Sequence, residues 1–225
     1  MTLRLSIIVP TLNEAGIIAA TLSALAPLRR RGHEVIVVDG GSDDGTLAFC
    51  QGHSDWAFVA ARGRACQMNA GAARAGGDVL LFLHADTCLP QQADALVCEA
   101  LERGAAWGRF DVRIDGPLPM FPVIATLMNW RSRCTGIATG DQAMFVRRLV
   151  FDRLGGFADM ALLEDVDLSR RLRLQSAPAR VRQRAVTSGR RWEARGLWRT
   201  IWLMWWLRWH HWRGVPAHEL AKAYR

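Results

Sequence analysis

The chain of 225 residues contains no uninterrupted apolar run of about 18 residues, the usual requirement for a helix that spans a membrane. Its first hydrophobic run is interrupted by Pro10 and Asn13, so the pattern of an export signal is missing as well. The five cysteines form no C-x-x-C pair, which excludes the usual patterns of a zinc site or a disulfide scaffold. These absences predict a cytoplasmic protein.

Lysine is almost absent, since Lys222 is the only one and arginine carries the remaining basic charge. The formal net charge is +8, but it is unevenly distributed along the chain. Residues 170–225 hold 14 Arg or Lys and 2 acids, whereas residues 1–169 carry a net charge of −4. A basic C-terminal segment can contact phosphates, anionic lipid or nucleic acid, or it can simply solvate a surface.

Four short apolar segments, residues 5–9, 35–38, 58–61 and 79–83, each end in polar residues. Helical patterns over residues 14–25 and 64–75 separate these segments. Pro27 is expected to end the first of these helices. This alternation predicts an α/β fold with a mostly parallel central sheet. Ligands of such sheets bind beyond the carboxyl ends of the strands, so the polar residues there are candidate site residues.

The second half of the chain is less regular and predicts a mixed region built onto the first half. A helix is expected near residues 92–103, a half-exposed strand over residues 107–114, and, within residues 140–146, a turn that leads into another buried strand. No repeat or linker suggests a second domain, so residues 1–190 are predicted to form one domain and residues 191–225 a helical extension.

Two polar clusters at strand ends are candidates for nucleotide and metal binding. Asp39 is followed by Gly40, Gly41 and Ser42, which suits hydrogen bonds to a base or ribose but equally suits capping of the next helix. Asp86 lies just past the fourth strand, where a lone carboxylate is well placed to hold a divalent cation that bridges a diphosphate.

A third cluster combines Glu164, Asp165 and Asp167 at the predicted start of a helix. The helix dipole alone favours acids at this place. Adjacent carboxylates on a helix point in different directions, however, so one of them can face a cleft as a general base. The cluster therefore has both a structural and a catalytic interpretation.

The ordered set of motifs resembles family 2 glycosyltransferases of the GT-A fold. It consists of S-I-I-V-P-T-L-N-E at residues 6–14, V-D-G-G-S-D-D-G-T at 38–46, G-R-A at 63–65 with Asn69 and Gly71, H-A-D at 84–86, and E-D at 164–165. The resemblance covers roughly residues 4–175 and implies a single GT-A (Rossmann-like) domain. It further implies inverting transfer of one sugar, of the hexosyltransferase type, from a nucleotide-diphosphate-sugar to a lipid or small-molecule hydroxyl or carboxyl acceptor.

The resemblance also implies roles for individual residues. The implied nucleotide-sugar site comprises Pro10, Thr11, Asn13, Glu14, Asp39, Gly40, Ser42, Arg64, Asn69, His84, Ala85 and Asp86. Asp86 matches the last acid of the family's D-x-D motif, which implies a metal site for Mn²⁺ or Mg²⁺. Asp165 matches the catalytic base, with Glu164 beside it.

Three positions depart from the family pattern. His84 stands at the first acid of D-x-D, Gly40 stands where a second acid often follows Asp39, and the Q-x-x-R-W motif of processive synthases is incomplete at residues 190–192. The last departure favours transfer of a single sugar over polymer synthesis. The pattern is similar to a small bacterial subgroup, some of whose relatives are named carotenoid-acid (diaponeurosporenoate) glucosyltransferases.

Tryptophans in the C-terminal segment recur at helical spacing: Trp198, Trp202, Trp205, Trp209 and Trp212, with Arg199 and Arg208 beside them. Tryptophan and arginine together suit peripheral contact of residues 197–213 with the inner face of the cell membrane. The other faces are apolar too, which suits a helix packed on the domain or in a homodimer. Nucleic-acid binding is not expected, because single-strand binders rarely present aromatic rings on a continuous apolar helix.

Two other functional classes remain open from the sequence. A metal-dependent sugar-phosphate nucleotidyltransferase shares a parallel sheet and a metal-held diphosphate, and the departures at His84 and Gly40 allow a catalytically silent nucleotide-sugar-binding protein. A dinucleotide dehydrogenase is not indicated, because no G-x-G-x-x-G follows the first strand.

Overall fold

The computed structural model describes residues 3–213, 215 and 219–220, except for the side chains at positions 191, 208, 211 and 212. The strands among them are β1 (Leu5–Thr11), β2 (Glu34–Asp39), β3 (Trp56–Val59), β4 (Val79–Phe82), β5 (Thr87–Cys88), β6 (Trp107–Asp115), β7 (Phe145–Arg147) and β8 (Ala179–Ser188). They form one sheet in the order β3-β2-β1-β4-β7-β6-β8-β5. The sequence predictions for Arg191, Arg208 and Trp212 concern side chains that lie outside the described ones.

The helices are α1 (Ala15–Arg30), α2 (Thr46–Cys50), α3 (Arg64–Arg74), α4 (Ala93–Glu102), α5 (Phe121–Thr135), α6 (Arg148–Arg153), α7 (Glu164–Arg173), α8 (Arg190–Arg195) and α9 (Leu197–Trp212). A 3₁₀ turn at Gly140–Gln142 leads into β7, as the sequence predicts. The prediction that Pro27 ends the first helix is wrong, since α1 continues to Arg30. Buried Leu25 and Leu28 hold this last turn against the core, and the burial outweighs the missing proline N–H.

The first half of the sheet is parallel. β1 pairs in parallel with β2 and β4, and β2 pairs in parallel with β3. Both faces of these strands are covered, so β2 and β4 are buried along their whole length. The predicted α/β fold with a mostly parallel sheet is confirmed for this half.

The second half of the sheet is mixed. β7 is antiparallel to both β4 and β6, whereas β8 is parallel to β6 and antiparallel to β5. The prediction that residues 107–114 form a half-exposed strand is wrong, because β6 lies inside the sheet and its first six residues are buried. Its alternating polar residues are buried with partners, since Arg109 donates to Asp111 and Asp111 also accepts from Arg133 of α5.

Tight packing of α3 brings the carboxyl ends of β1 and β2 close to the residues that begin this helix. A Cβ atom added at Gly71 would lie 2.5 Å from Cγ2 of Ile8 and 3.1 Å from Cγ2 of Val38. Glycine at this position therefore lets α3 lie directly on the two strands. Arg64 at the first turn of α3 is thereby held beside the ends of β1 and β4.

The Trp-rich helix α9 packs on the domain through one side only. Leu207 is buried in a cluster with Leu162, Leu163 and Val166, and Ile201 packs against the cluster that contains Phe121 of α5. The opposite side carries exposed tryptophans. Within the described ranges, no helix is both long enough and apolar enough to cross a membrane.

Candidate functional site

A cavity of about 270 Å³ lies at the carboxyl ends of β1 and β4, where open parallel sheets bind their ligands. It is lined by Pro10, Thr11, Leu12, Glu14, Arg62, Gly63, Arg64, Gln67, His84, Ala85 and Asp86. The structure thus brings together Pro10, Thr11, Glu14, Arg64, His84, Ala85 and Asp86 from three separate motifs of the sequence. Asn13, Asp39, Gly40, Ser42, Asn69, Glu164 and Asp165 are not among the lining residues.

Asp39 lies behind the cavity and organises the loop after β2. Its Oδ2 accepts hydrogen bonds from the backbone N–H groups of Gly41 and Ser42 at 2.9 and 2.7 Å. Its Oδ1 accepts from the hydroxyls of Ser42 at 2.5 Å and Thr11 at 3.2 Å. A carboxylate has about four lone-pair positions, so these four bonds saturate Asp39. The carboxylate is only 1% exposed and fixes the loop against β1.

The neighbouring residues of this loop are engaged in the same way. The hydroxyl of Ser42 accepts from the N–H of Asn13 at 2.8 Å, and Asn13 Oδ1 accepts from the N–H of Asp43 at 3.1 Å. Asn13 adopts a left-handed backbone conformation with φ of 54°, which asparagine tolerates better than most residues. Gly40 donates its N–H to the carbonyl of Thr11 at 2.9 Å. Together these bonds join the ends of β1 and β2.

Gln67 forms the floor of the cavity, a role that the sequence did not reveal. It is 4% exposed, and its Nε2 donates to the carbonyls of Thr11 and Val38 at 2.8 Å each. A Cβ atom at Gly40 would lie 3.2 Å from its Oε1, so the side-chain amide fills the space beside this glycine. The available signal was one polar residue on the otherwise small, apolar face of α3.

Asn69 does not line the cavity and bonds to a loop instead. Its Nδ2 donates to the carbonyl of Phe157 at 2.8 Å, and its Oδ1 accepts the N–H of the same residue at 2.9 Å. This pair of bonds fixes the Gly155-Gly156-Phe157 loop against α3. A nucleotide contact at Asn69, implied by the resemblance, would require one of these bonds to be exchanged.

Asp86 lies on the cavity wall with its side chain 8% exposed. Its Oδ2 is 3.7 Å from Nε of Arg190, and its Oδ1 is 3.5 Å from the hydroxyl of Thr87. The same Arg190 guanidinium donates to Oε2 of Glu14. Arg190 comes from the C-terminal side of the chain, and the sequence showed it only as part of the incomplete Q-x-x-R-W motif.

The donor atoms at Asp86 fit a divalent cation that arrives with a diphosphate. Within the part of the chain that the structure describes, no group of three His, Cys, Asp or Glu side chains could hold a metal ion alone. Mg²⁺ in nucleotide sites is commonly bound by one or two carboxylates together with substrate phosphates and water. Asp86 supplies such a carboxylate, with cationic Arg62 and Arg64 on the same cavity. The residues therefore fit a cation held jointly with phosphate.

His84 connects the cavity, through the turn at Gly140, to Asp165 of α7. Its Nδ1 lies 3.4 Å from Oδ1 of Asp141, and the backbone of Gly140 lies so close to its ring that a Cβ atom there would overlap it. The N–H of Gly140 in turn donates to Oδ2 of Asp165 at 2.7 Å. Asp165 is thereby placed one residue away from a side chain that lines the cavity.

Glu164 contacts the cavity through a different residue. Its Oε1 is 3.8 Å from Nη1 of Arg64, and the residue is 4% exposed. Burial raises the pKa of the Glu164 carboxyl, the charge of neighbouring Asp165 raises it further, and Arg64 offsets part of this rise. The two adjacent acids of α7 thus lie in different surroundings, as their positions on a helix predict.

The family is shown by comparison with known sequences. The model described as "Glycosyl transferase family 2" matches residues 6–155, about two thirds of the chain. The chain therefore belongs to glycosyltransferase family 2. Its α/β architecture is that of the GT-A glycosyltransferases.

Curated relatives are named glycosyltransferases. The chain is 28% identical to "Probable glycosyltransferase YdaM" of Bacillus subtilis over 97% of its own length and 56% of that protein. It is 30% identical to "Uncharacterized glycosyltransferase Rv1514c" of Mycobacterium tuberculosis over 79% of the chain and 71% of the relative. The chain thus spans little more than half the length of the Bacillus protein.

Solved structures with a similar fold include a mannosyltransferase and the protein TarS. A mannosyltransferase from Pyrobaculum calidifontis, in complex with GDP-Man and Mn²⁺, superimposes with a TM-score of 0.60 at 23% identity, over 83% of this chain and 57% of that one. Residues 1–349 of TarS from S. aureus, in complex with UDP-GlcNAc, superimpose with a TM-score of 0.60 at 18% identity, over 81% and 55%. At these identities the likeness establishes the GT-A fold.

Proposed function

We propose that the protein is an inverting glycosyltransferase that moves one sugar from a nucleotide-diphosphate-sugar to a lipid or small-molecule hydroxyl or carboxyl acceptor. The observation that carries this proposal is the cavity at the ends of β1 and β4. Asp86, Arg62 and Arg64 lie on its lining, Glu164 contacts Arg64 of the lining, and Asp165 accepts a hydrogen bond from Gly140, which packs against His84 of the lining. Family membership and the nucleotide-sugar complexes of similar folds support the same reaction.

The donor is proposed to bind along the lining of the cavity. Arg62 and Arg64 offer positive charge to the diphosphate, and Pro10, Thr11 and Glu14 border the space for the nucleoside. Asp39, Asn13, Gly40 and Ser42 contribute by shaping the loop behind Thr11, because their polar groups are bonded to one another. Asp86 and Ala85 border the diphosphate end, where Mn²⁺ or Mg²⁺ would be held by Asp86.

The chemistry is a single displacement at the anomeric carbon. The acceptor oxygen forms a bond to this carbon, the bond to the phosphate oxygen breaks, and the nucleoside diphosphate leaves with the electron pair. Asp165 takes the proton of a hydroxyl acceptor, and the Gly140 and Val166 N–H groups hold its two oxygens at 2.7 Å. A bound cation would supply neutralisation of charge on the leaving diphosphate. One displacement inverts the configuration at this carbon.

Donor binding is tested by the thermal stability of the full chain with UDP-, GDP- and dTDP-sugars, with and without MnCl₂. A ligand that binds only the folded state raises the melting temperature. We expect one base to give a manganese-dependent rise that Asp86→Asn removes, and release of the nucleoside diphosphate when an acceptor is added. Pyrophosphate release from a nucleoside triphosphate and a sugar phosphate would instead indicate a nucleotidyltransferase. Donor binding without transfer or hydrolysis would indicate a silent binding protein.

The exposed side of α9 supports an apolar acceptor that is reached at a membrane surface. Trp198, Trp202, Trp205 and Trp209 are 72, 69, 74 and 50% exposed, and they follow one another at helical spacing. Neighbouring α5 adds Val123, Leu127 and Trp130, which are 47, 58 and 64% exposed. Tryptophan is favoured at the boundary between lipid headgroups and acyl chains, where an amphipathic helix lies parallel to the bilayer. A carotenoid acid, suggested by the subgroup resemblance, is one acceptor of this kind.

The basic charge of the C-terminal segment makes an anionic bilayer the proposed partner of this surface. Arg213 lies over the ring of Trp209 at 4.7 Å, and Arg199 is exposed beside Trp198. Residues 170–225 carry a net charge of +12, so they are attracted to the inner face of a cell membrane.

Membrane contact is tested by sedimentation with vesicles of phosphatidylglycerol and phosphatidylcholine. We expect the full chain to sediment with the anionic vesicles, and the exposed-face variant Trp202→Ser/Trp205→Ser to remain in the supernatant. Leu149→Ser serves as a control, since Leu149 is 71% exposed on α6. A protein that never sediments but elutes as a concentration-dependent dimer would show that a second copy covers this face.

A further inference from the structure

The guanidinium of Arg190 lies between two carboxylates of the cavity wall. It donates to Oε2 of Glu14, while its Nε lies 3.7 Å from Oδ2 of Asp86. The side chains of Glu14 and Asp86 are 14 and 8% exposed, and that of Arg190 is 41% exposed. A positive charge therefore reaches both acids of the cavity lining from its solvent side.

The backbone of Arg190 is fixed in this position by β8 and α5. The N–H of Ser188 donates to the carbonyl of Asp86 at 3.1 Å, and the N–H of Gly189 donates to the carbonyl of Asp115 at 2.7 Å. A Cβ atom at Gly189 would overlap the ring of Phe121, so only glycine permits this close approach. Because the two residues before Arg190 are held in this way, the Arg190 side chain can change its contacts while its Cα stays near Asp86.

The two contacts of Arg190 differ in strength. The hydrogen bond to Glu14 is direct, whereas the separation from Asp86 is near the outer limit of an ion pair. A guanidinium keeps its charge at every pH at which proteins fold. A divalent cation that binds Asp86 therefore meets a permanent positive charge at the same carboxylate.

We propose that Arg190 is a positioning residue that competes with the divalent cation for Asp86. When no cation is bound, Arg190 partly neutralises the Asp86 carboxylate and keeps it on the cavity wall. When the cation binds with the nucleotide, Arg190 would lose its ion pair with Asp86 and keep its hydrogen bond to Glu14. The inference deepens the proposed donor site and rests on it, since it concerns the cation that this site would bind.

The experiment measures how much MnCl₂ is needed for nucleotide binding to the full-length protein. UDP, GDP and dTDP are each held at a fixed concentration, MnCl₂ is titrated, and the rise in melting temperature over the same variant without nucleotide is recorded. Arg190→Gln should lower the half-saturating MnCl₂ about two- to fivefold, the range expected for a partly exposed ion pair. Arg190→Lys, which keeps the charge but not the planar fork, should fall between this variant and the wild type.

A matched control separates this competition from a general change in charge. Arg195→Gln removes one positive charge from the other end of α8 and should leave the half-saturating MnCl₂ unchanged. Glu14→Gln should raise it, because Arg190 loses its other partner, and this rise should shrink in the Arg190→Gln background. A constant effect of Glu14→Gln in both backgrounds would argue against the coupling.

The outcomes distinguish the inference from the proposed function. If the wild type shows a manganese-dependent response that Asp86→Asn removes, and Arg190→Gln titrates like the wild type, the competition is overturned while the donor site stands. If Arg190→Gln needs more manganese than the wild type, Arg190 helps to bind the cation complex and the inference is again overturned. If the wild type responds to none of the three nucleotides with manganese, the proposed donor site fails, and the inference fails with it.

Discussion

The two carboxylates Asp39 and Glu164 are almost equally buried, but the two regions around them have different chemistry. Asp39, at the end of β2, accepts four hydrogen bonds from its own loop and from Thr11. Glu164, at the start of α7, has a single ion pair of 3.8 Å with Arg64 and lies beside a second acid. Burial raises the pKa of Glu164, the charge of Asp165 raises it further, and Arg64 offsets only part of this rise.

This difference separates a rigid region from a reactive one. Saturated hydrogen bonds make the β1–β2 edge of the cavity rigid. A rigid edge can orient a ligand while its own protonation state stays the same. At the edge that includes Asp86 and the start of α7, the ion-pair contacts of Asp86 and Glu164 are long, which leaves these carboxylates able to accept a cation or a proton. We therefore expect substitutions at the first edge to change stability, and substitutions at the second to change binding and turnover.

The largest expected effect is on turnover at Asp165. Asp165→Asn keeps the size of the side chain and an oxygen for the Gly140 N–H, but it removes the base. We expect turnover with a hydroxyl acceptor to fall about 10²- to 10⁴-fold, the usual contribution of a positioned base. The donor dissociation constant, measured by calorimetry with the same nucleotide-sugar, should change less than about twofold. Unchanged turnover would remove Asp165 from the mechanism.

Asp39→Asn tests the rigid edge. The new amide group carries N–H donors where Asp39 has a carboxylate oxygen that accepts hydrogen bonds. Buried donors at Gly41, Ser42 or Thr11 therefore lose their acceptor. We expect the free energy of unfolding, from urea denaturation, to fall by about 2 to 3 kcal/mol. Asp43→Asn, an exposed change in the same loop, should alter it by less than about 0.5 kcal/mol. Equal effects of the two changes would contradict a special role for Asp39.

Packing of α3 on the parallel strands gives a second test of the rigid region. In Gly71→Ala the new methyl group would lie 2.5 Å from Cγ2 of Ile8, inside van der Waals contact with a core side chain. We expect a loss of about 1 to 3 kcal/mol in unfolding free energy. Gly16→Ala is the matched control, because a Cβ atom on α1 meets nothing within 4 Å and alanine favours the helix by about 0.5 to 1 kcal/mol. The two glycine substitutions should thus have opposite signs.

Sequence reasoning succeeded where the information is local. The buried runs of β1, β2 and β4 are continuous apolar segments, and each is followed directly by polar residues, so the strands were predictable. The seven predicted residues on the cavity lining, Pro10, Thr11, Glu14, Arg64, His84, Ala85 and Asp86, also follow such local patterns, whereas Asp39 at the end of β2 lies outside the lining. Gln67 and Arg190 were not, since their partners are 56 and 176 residues away along the chain. The exposure of β6 was predicted wrongly, because its buried ion pairs place polar residues at alternate positions, as in a half-exposed strand.

The smallest expected effect is a pH dependence at Glu164. Because the folded state raises the pKa of this carboxyl, the folded protein binds its proton more tightly than the unfolded chain does. Glu164 therefore costs stability as the pH rises above the unfolded pKa of about 4.3. Glu164→Gln does not titrate, so its melting temperature relative to the wild type should rise with pH above this value and stay constant below it. A difference that is flat from pH 4 to pH 8 would show that Arg64 compensates the buried charge fully, and the contrast with Asp39 would then disappear.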